Sequence, residues 1–531
     1  MAGRSRNGSD TDCLVIGSGA AGALYAYRAA RAGLSVTLVT GAGALASGNS
    51  TYAQGGIVFE DQDAQSLRDD MAVATAGTTN PAALETLLEH GPRVVRDILV
   101  GELEVAFDRG ADGGLRFTRE GSHSRERIVF AKDQTGRAIV DAVHRRLTEM
   151  AADADAPGQV RILTGTVAID LLTLSHSSTE PLDRYHPLTC VGAYVLDTAS
   201  GEVTALRARR TVLATGGLGQ IFLHSTNHPN TFGHGIAMAY RVGARVMDLE
   251  YVQFHPTVFL HPGAAPFLVS EALRGEGAVL VNGAGDRFMD RFHELGSLAP
   301  RDIIARSIHA ELLKSDDTTV FLDATGLDRD YLLERFPTIS ARLREAGVDL
   351  SVEPIPVVPA AHYSCGGVHA DMQGRTNVDR LSAIGEVACT GLHGANRLAS
   401  TSLLECVVMA DLAAATHAKE LREVGPPMPE VRPWVMADRL PDEDLVTQDI
   451  NVIRNTMWNY VGLVRTTRRL ERATSLLYEL KAEVDSFYAG NQLTRSLLNL
   501  RSAVQTALLV TYAALHNPRS EGCHFRTDDE T

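Results

Sequence analysis

Apolar positions in this chain follow distinct rhythms, and each rhythm predicts its own kind of element. The apolar run Asp12 to Ile16 reads as a buried strand. It passes into a glycine-rich turn and then a helix-like stretch from about Ala20 to Ala32, which Gly33 ends. Ser35 to Thr40 reads as a second strand, so the start of the chain predicts a βαβ unit on a parallel sheet. Val160–Leu172 and Cys190–Thr198 read as strands separated by an exposed, proline-containing loop near Ser175–Pro187. Thr211–Ala214 is a short strand closed by Thr215, Gly216 and Gly217. Between residues 250 and 360 the periodicity loosens around Gly and Pro turns, which predicts a separate unit sitting over the first. A glycine-rich stretch from Ser364 to Gly394 leads into a helix beginning near Ser400. Gly425–Pro433 carries four prolines and reads as a linker. From Asp442 to His516 the spacing is helical, with Arg and Glu on one face and Leu, Val and Tyr on the other, which predicts a small bundle. The resulting division is an α/β domain from residues 10–249 and 364–425, an α+β cap inserted at 250–363, and a helical domain at 434–531. No internal repeat is visible.

Composition narrows the possible functions. A chain of 531 residues exceeds one hydrophobic core, and 44% hydrophobic content is that of an ordinary globular protein. With 65 acidic against 50 basic residues the net charge is -15, which repels a polyanion and disfavours nucleic acid as a ligand. A small dianion then needs a local cluster of Arg and His. Met1 to Asp10 lacks an apolar leader core. The longest apolar candidate for a membrane span, Leu403–Thr416, is broken by Glu405 and Asp411. The six cysteines contain no Cys-x-x-Cys pair, so neither a metal site nor a disulfide framework is expected, and reduced thiols of a cytoplasmic protein are.

The sharpest motif is Gly17-Ser18-Gly19-Ala20-Ala21-Gly22, between the first strand and the first helix. Its first glycine permits the tight turn, its second lets a pyrophosphate approach the backbone, and its third lets helix and strand pack closely. The helix N-terminus adds partial positive charge. The acidic residue that grips a ribose about 20 positions later in NAD sites is missing, and Thr40 and Gly41 stand at the strand end instead. A second cluster, Asn49-Ser50-Thr51-Tyr52-Ala53-Gln54-Gly55-Gly56, is too rich in small polar residues to be core. Taken alone it is either a surface loop or a backbone wall for a planar polar ring.

That cluster, the Ala-Thr-Gly-Gly at 214–217, Gln253-Phe254-His255-Pro256-Thr257, Ala299-Pro300-Arg301-Asp302 and His362-Tyr363-Ser364-Cys365-Gly366-Gly367 together resemble the fumarate reductase and succinate dehydrogenase flavoprotein family. The resemblance covers nearly the whole chain in order. Three further segments are similar to the branch of that family that oxidises aspartate: Thr118–Ser124, Gly385-Glu386 with Thr390–Arg397, and Met457–Arg465. The resemblance implies a Rossmann-like FAD-binding domain with an inserted α+β cap and a C-terminal helical bundle. It also implies FAD contacts at Ser18, Gly19, Ala20, Ala21, Gly41, the Asn49–Gly56 cluster, Thr215, Gly216, Glu386, Ser402 and Leu403. Asn49 stands where succinate dehydrogenases carry the flavin-bonding histidine, so non-covalent FAD is implied. His234 replaces an aspartate of the family's FAD site and leaves that contact open.

For the substrate, the resemblance implies a dicarboxylate site from His255, Ser270, Glu271, Arg301, His362 and Arg397, with Glu120 on the amino group. These residue types suit the chemistry. Arginine forks capture carboxylates in bidentate fashion, and a buried carboxylate distinguishes an ammonium from a methylene. Arg301 is the family's proton-transferring residue, yet arginine stays protonated in proteins. It therefore serves either through a relay with Glu271 or water, or as an electrostatic group. Ser270 and Glu271 could equally begin a helix, as cap and first-turn acid. Arg465–Arg472 reads as a solvated helical face. The implied reaction is oxidation of L-aspartate to iminoaspartate, with O2 or fumarate as acceptor and quinolinate synthase as a partner. The rival readings are a soluble fumarate reductase or succinate dehydrogenase and a non-catalytic FAD sensor. The oligomeric state stays open.

Overall fold

The computed structural model describes residues 10–45, 48–315, 317–422 and 428–528. The leader reading of the first nine residues and the linker reading at 425–427 fall outside this range.

The first strand spans Asp10–Ile16 and is buried at every position after the first, because the sheet is covered on both faces. It pairs in parallel with Val36–Val39 on one side and with the long strand Val203–Leu213 on the other. Val160–Leu163 extends the parallel sheet beyond Val36–Val39, and Leu381–Ala383 adds in parallel to the end of Val203–Leu213. The expected single strand Val160–Leu172 is two strands. Gly165, at φ 62, turns the chain, and Thr166–Thr173 then pairs antiparallel with Cys190–Asp197 at the opposite end of the strand order. Two helices cover the sheet, Ala20–Arg31 and Ser402–Glu420. The acidic breaks in the second have partners, since Asp411 pairs with Arg28 at 2.8 Å and also with Arg93.

Residues 252–364 form a second, five-stranded sheet in the order Phe267–Leu268, Val252–Phe259, Ile355–Ser364, Val320–Asp323, Val279–Val281. With helices Arg301–Ser315 and Pro337–Glu345 it encloses its own apolar core, including Phe259, Phe288, Ile304, Leu322, Phe336 and Leu343. Long helices Glu443–Val461, Thr467–Gly490 and Arg495–His516 pack together, each begun by a side-chain cap from Asp442, Thr466 or Thr494. The middle helix buries Leu470, Ala473, Leu477, Leu480 and Val484, a three-and-four spacing that makes one apolar stripe. Arg468, Arg469 and Arg472 are exposed, as a solvated face requires, but Arg465 is fully buried. Its guanidinium donates to the carbonyls of Val461, Gly462 and Glu250 and bonds His524, contacts that no local pattern reveals.

Candidate active site

Strand packing and helix geometry shape the first glycine turn. Gly17 takes φ 114, and a methyl group there would lie 2.2 Å from the carbonyl oxygen of Ala214. At Gly22 a methyl would lie 2.0 Å from the carbonyl oxygen of Gly17, so this glycine lets the helix close on the strand. Gly19 differs, because its nearest neighbour would be Ser50 Oγ at 3.3 Å and its backbone is open to a ligand. Ser18 Oγ donates to Thr40 Oγ1 at 3.0 Å, and the Ala20 N–H donates to Ser50 Oγ at 3.2 Å, which ties the second cluster to the first.

That second cluster is a helical turn at Asn49–Tyr52 followed by Ala53–Gly56. Gly56 is buried against Ile128, and its N–H donates to Glu120 Oε1 at 3.0 Å. Ser400 Oγ donates to Glu120 Oε2 at 2.7 Å. The Asn49 carboxamide oxygen accepts the N–H of His228 at 2.7 Å. A plain surface loop is thereby ruled out.

One cavity of about 1370 Å³ unites these features. It is lined by Gly17 through Ala21, Thr40, Gly41, Asn49 through Gly56, Glu120, Thr215, Gly216, His234, His255, Ser270, Glu271, Arg301, His362, Glu386, Arg397, Ser402 and Leu403. Of the residues singled out from sequence, Gly22 alone is off the wall, turned inward against Gly17. The volume exceeds the roughly 300–1,000 Å³ of single small-ligand pockets and accommodates a dinucleotide with a small substrate beside it. The polar groups fit FAD: an open backbone at a helix N-terminus for the pyrophosphate, and, buried on the cavity wall without a protein partner, the acceptor Gln54 Oε1 and the hydroxyl Thr215 Oγ1.

At the far end, the cap and the sheet domain bring two guanidiniums together. Gln253, on strand Val252–Phe259, accepts from Arg301 Nη1 at 3.1 Å and from Arg397 Nη2 at 3.0 Å through the same Oε1. Its amide donates to Asn396 Oδ1 at 2.7 Å and to the Arg397 carbonyl at 2.9 Å. Arg397 also donates to Ser402 Oγ at 3.2 Å and lies 4.7 Å from the centre of the Tyr363 ring. Burial, then the neighbouring Arg301, lowers Arg397 to about 10, so it remains a cation at neutral pH. Arg301 Nε pairs with Glu271 Oε2 at 2.5 Å. Although burial opposes ionisation, Arg301 and Arg274 hold the Glu271 carboxyl at about 2. Ser270 does cap the short helix Glu271–Gly275, accepting the Ala272 N–H at 3.2 Å, while still lining the cavity.

His255 and His362 face each other with ring centres 5.2 Å apart. Burial, followed by nearby guanidiniums, drives both well below the usual imidazole range, so both are neutral. His255 Nδ1 accepts the Thr257 N–H at 3.2 Å, which leaves its proton on Nε2. His362 Nδ1 bonds Thr226 Oγ1 at 2.9 Å. His234, held by Asn499 Oδ1 at 2.9 Å, is lowered by burial to about 4 and presents a neutral ring to the cavity. Glu386 accepts the Ser364 N–H at 3.2 Å, and burial raises its carboxyl to about 7.

Several residues that support the wall, among which only Arg495 lines the cavity itself, escape sequence reasoning. Gln253 stood inside a motif without a role. Arg274, three residues after Glu271 on one helix, was detectable by spacing alone. His144, which bonds the Ser18 carbonyl at 2.8 Å, and Arg495, which donates to the Gly41 carbonyl, come from segments remote in sequence.

Comparisons with known proteins agree with this geometry. A family model described as FAD binding domain matches residues 12–403, and one described as fumarate reductase flavoprotein C-term matches 451–531. An L-aspartate oxidase of Pseudomonas aeruginosa is 41% identical over 97% of this chain and 95% of its own length. An L-aspartate oxidase of Halobacterium salinarum is 42% identical over 98% and 97%. Among solved structures, an E. coli quinol fumarate reductase chain superposes with a TM-score of 0.85 at 25% identity, covering 98% of this chain and 91% of that one. A Mycobacterium smegmatis Sdh1 chain gives 0.81 at 27% identity, over 98% and 89%. With the FAD cradle, the paired guanidiniums and these relatives along nearly its full length, the chain belongs to the L-aspartate oxidase family, within the FAD-dependent fumarate reductase and succinate dehydrogenase flavoproteins.

Proposed function

We propose that this protein oxidises L-aspartate to iminoaspartate, with O2 or fumarate as the final acceptor, as the first step of de novo NAD synthesis through quinolinate. The observation that carries this reading is the pair Arg301 and Arg397 bridged by Gln253, in the same cavity as Glu120. Arg301, Arg397 and Arg274 against Glu271 leave two positive charges, which match the two carboxylates of a four-carbon diacid.

FAD is held without a covalent bond by the Gly17–Gly22 turn, the Asn49–Gly56 segment, Thr215, Gly216, His234, Glu386 and the helix start at Ser402 and Leu403. When bound it supplies the two-electron acceptor for the substrate Cα–H. Arg397 and His362 bind one carboxylate; His255, through its Nε2 proton, and Ser270 bind the other. Glu120 pairs with the substrate ammonium and so selects aspartate over succinate. Arg301, paired with the Glu271 carboxylate, fixes the carboxylate nearest the reacting carbon electrostatically. The cap excludes water and orients the diacid. Among the described residues no helix is long and apolar enough to cross a membrane, and we place the protein in the cytoplasm. Its imine product is short-lived in water, which makes quinolinate synthase the natural consuming partner.

Anaerobic titration at the flavin absorbance tests the substrate: L-aspartate bleaches it and succinate does not, and bleaching by succinate alone refutes the reading. Glu120→Gln raises KM for L-aspartate by about tenfold or more, with that for fumarate nearly unchanged. Equal effects on both would remove Glu120 from its role.

A further inference from the structure

The turn at Glu521–His524 lies behind the cavity and touches both elements that carry the clamp arginines. On one side is helix Arg301–Ser315. From it Arg306 Nη1 donates to the Gly522 carbonyl at 3.1 Å and Nη2 to Asp302 Oδ2 at 2.9 Å, while its guanidinium lies 4.8 Å from the centre of the Phe525 ring. On the other side is the segment ending in Arg397. There the Cys523 N–H donates to the Ala395 carbonyl at 2.9 Å, and Cys523 Sγ donates to Asn396 Oδ1 at 3.2 Å. Asn396 closes the ring, with its amide 3.5 Å from Asp302 Oδ1 and its oxygen accepting from Gln253. Gly522 takes φ 52, and a methyl there would lie 2.4 Å from the Ala395 carbonyl oxygen. The turn is thus a spacer of fixed thickness between the helix that begins at Arg301 and the segment that ends at Arg397.

Such a spacer answers a physical need. Two guanidiniums sharing one neutral acceptor repel each other in a buried site; Gln253 bridges them, and the Glu271 carboxylate offsets the charge of Arg301 but makes no bond to Arg397. Without a restraint from behind, the helix of Arg301 could drift by the fraction of an ångström that spoils a two-point clamp. Arg306 itself is absent from the cavity wall, so it cannot act on substrate directly.

We propose that Arg306, acting through Gly522 and Phe525, is a positioning residue that sets the spacing of Arg301 and Arg397. The proposal rests on the dicarboxylate reading of the cavity. It assigns the turn at 521–525 a part in substrate binding although none of these residues lines the cavity.

The test uses full-length, FAD-loaded enzyme and reads succinate binding by flavin absorbance, together with KM and kcat for L-aspartate. Arg306→Ala weakens succinate binding and raises KM by roughly tenfold, with a smaller fall in kcat and undiminished FAD content. Arg306→Lys, which keeps a cation near Asp302 and Phe525, recovers part of the loss. Arg291→Ala removes an ion pair to Glu311, farther along the same helix, and leaves binding unchanged. Gly522→Ala keeps the guanidinium but pushes on Ala395; it reproduces the KM increase and serves if Arg306→Ala does not fold. Wild-type affinity in both the Arg306→Ala and Gly522→Ala proteins, or an equal loss in Arg291→Ala, overturns the proposal. Succinate that leaves the wild-type flavin spectrum unperturbed overturns the dicarboxylate reading itself, and that control precedes every variant.

Discussion

Around the cavity, burial sets the charge state of individual side chains, and Glu386 carries the clearest consequence. Burial lifts its carboxyl from the ordinary 4.5 to about 7, against the pull of the Ser364 N–H and the Asn49 side chain. Its folded-state value lies above the unfolded one, so between about pH 4.5 and 7 the native protein holds a proton that the unfolded chain has lost. This group's contribution to stability therefore falls as pH rises through that window. Burial displaces His234, His255 and His362 downward, which acts in the opposite direction. The expected outcome is accordingly a difference: FAD-free wild type loses melting temperature relative to Glu386→Gln between pH 5 and pH 8. Parallel melting curves across that range would show that Glu386 does not titrate there. At this scale, residue types and motifs disclosed Arg397 and His362 as clamp candidates. They did not disclose Gln253 as the shared acceptor, because an uncharged amide within a motif carries no signal until two guanidiniums are seen to converge on it.

Elements add constraints that single residues lack. The first βαβ unit was readable because its rules are local: a buried strand, glycines at the turn, and a helix packed on the strand. Its glycines are nonetheless unequal, and the distinction is testable. At Gly19 a Cβ meets only the Ser50 hydroxyl, at 3.3 Å, a side-chain atom that can shift, and the methyls of Gly19→Val fill the approach to the backbone. The expected protein folds, melts close to FAD-free wild type, and carries no flavin absorbance. Gly22→Val meets the Gly17 carbonyl and should instead lower stability by about 1–3 kcal/mol, measured by denaturant unfolding of the FAD-free form. Flavin retention in Gly19→Val would mean that the pyrophosphate does not use this turn. Where element boundaries depend on pairing, pattern reading failed. Val160–Leu172 is one apolar run but two strands, since each half finds a different partner across Gly165.

At the scale of the whole molecule, the cap is held to the sheet domain by an exchange of hydrogen bonds. Helix Pro337–Glu345 begins without a cap from its own Phe336. Asp133, from the sheet domain, takes that place by accepting the N–H groups of Thr338 at 2.8 Å and Ile339 at 3.2 Å, and the Thr338 hydroxyl at 2.9 Å. Loss of such a cap costs about 1 kcal/mol, which is about fivefold in an open–closed equilibrium. Asp133→Ala is therefore expected to reduce kcat/KM for L-aspartate by about fivefold in fully FAD-loaded enzyme, and to expose the cap to limited proteolysis. An unchanged kcat/KM would mean that closure does not depend on this latch.

By itself the sequence determined the order of elements, the dinucleotide turn, the helical end of the chain and the chemical types gathered for a dicarboxylate. Each of these is written in short-range spacing, where 2- and 3.6-residue periods and glycine stereochemistry operate. Only the tertiary structure decided which side chains share an environment. Arg495 reaches Gly41 across 454 positions, Arg465 leaves solvent for the carbonyl of Glu250, and the turn at Gly522 lies between the elements of two distant arginines. Such contacts form when separate layers pack and buried polar groups must find partners wherever the chain supplies them, and that demand leaves no local trace in the order of residues.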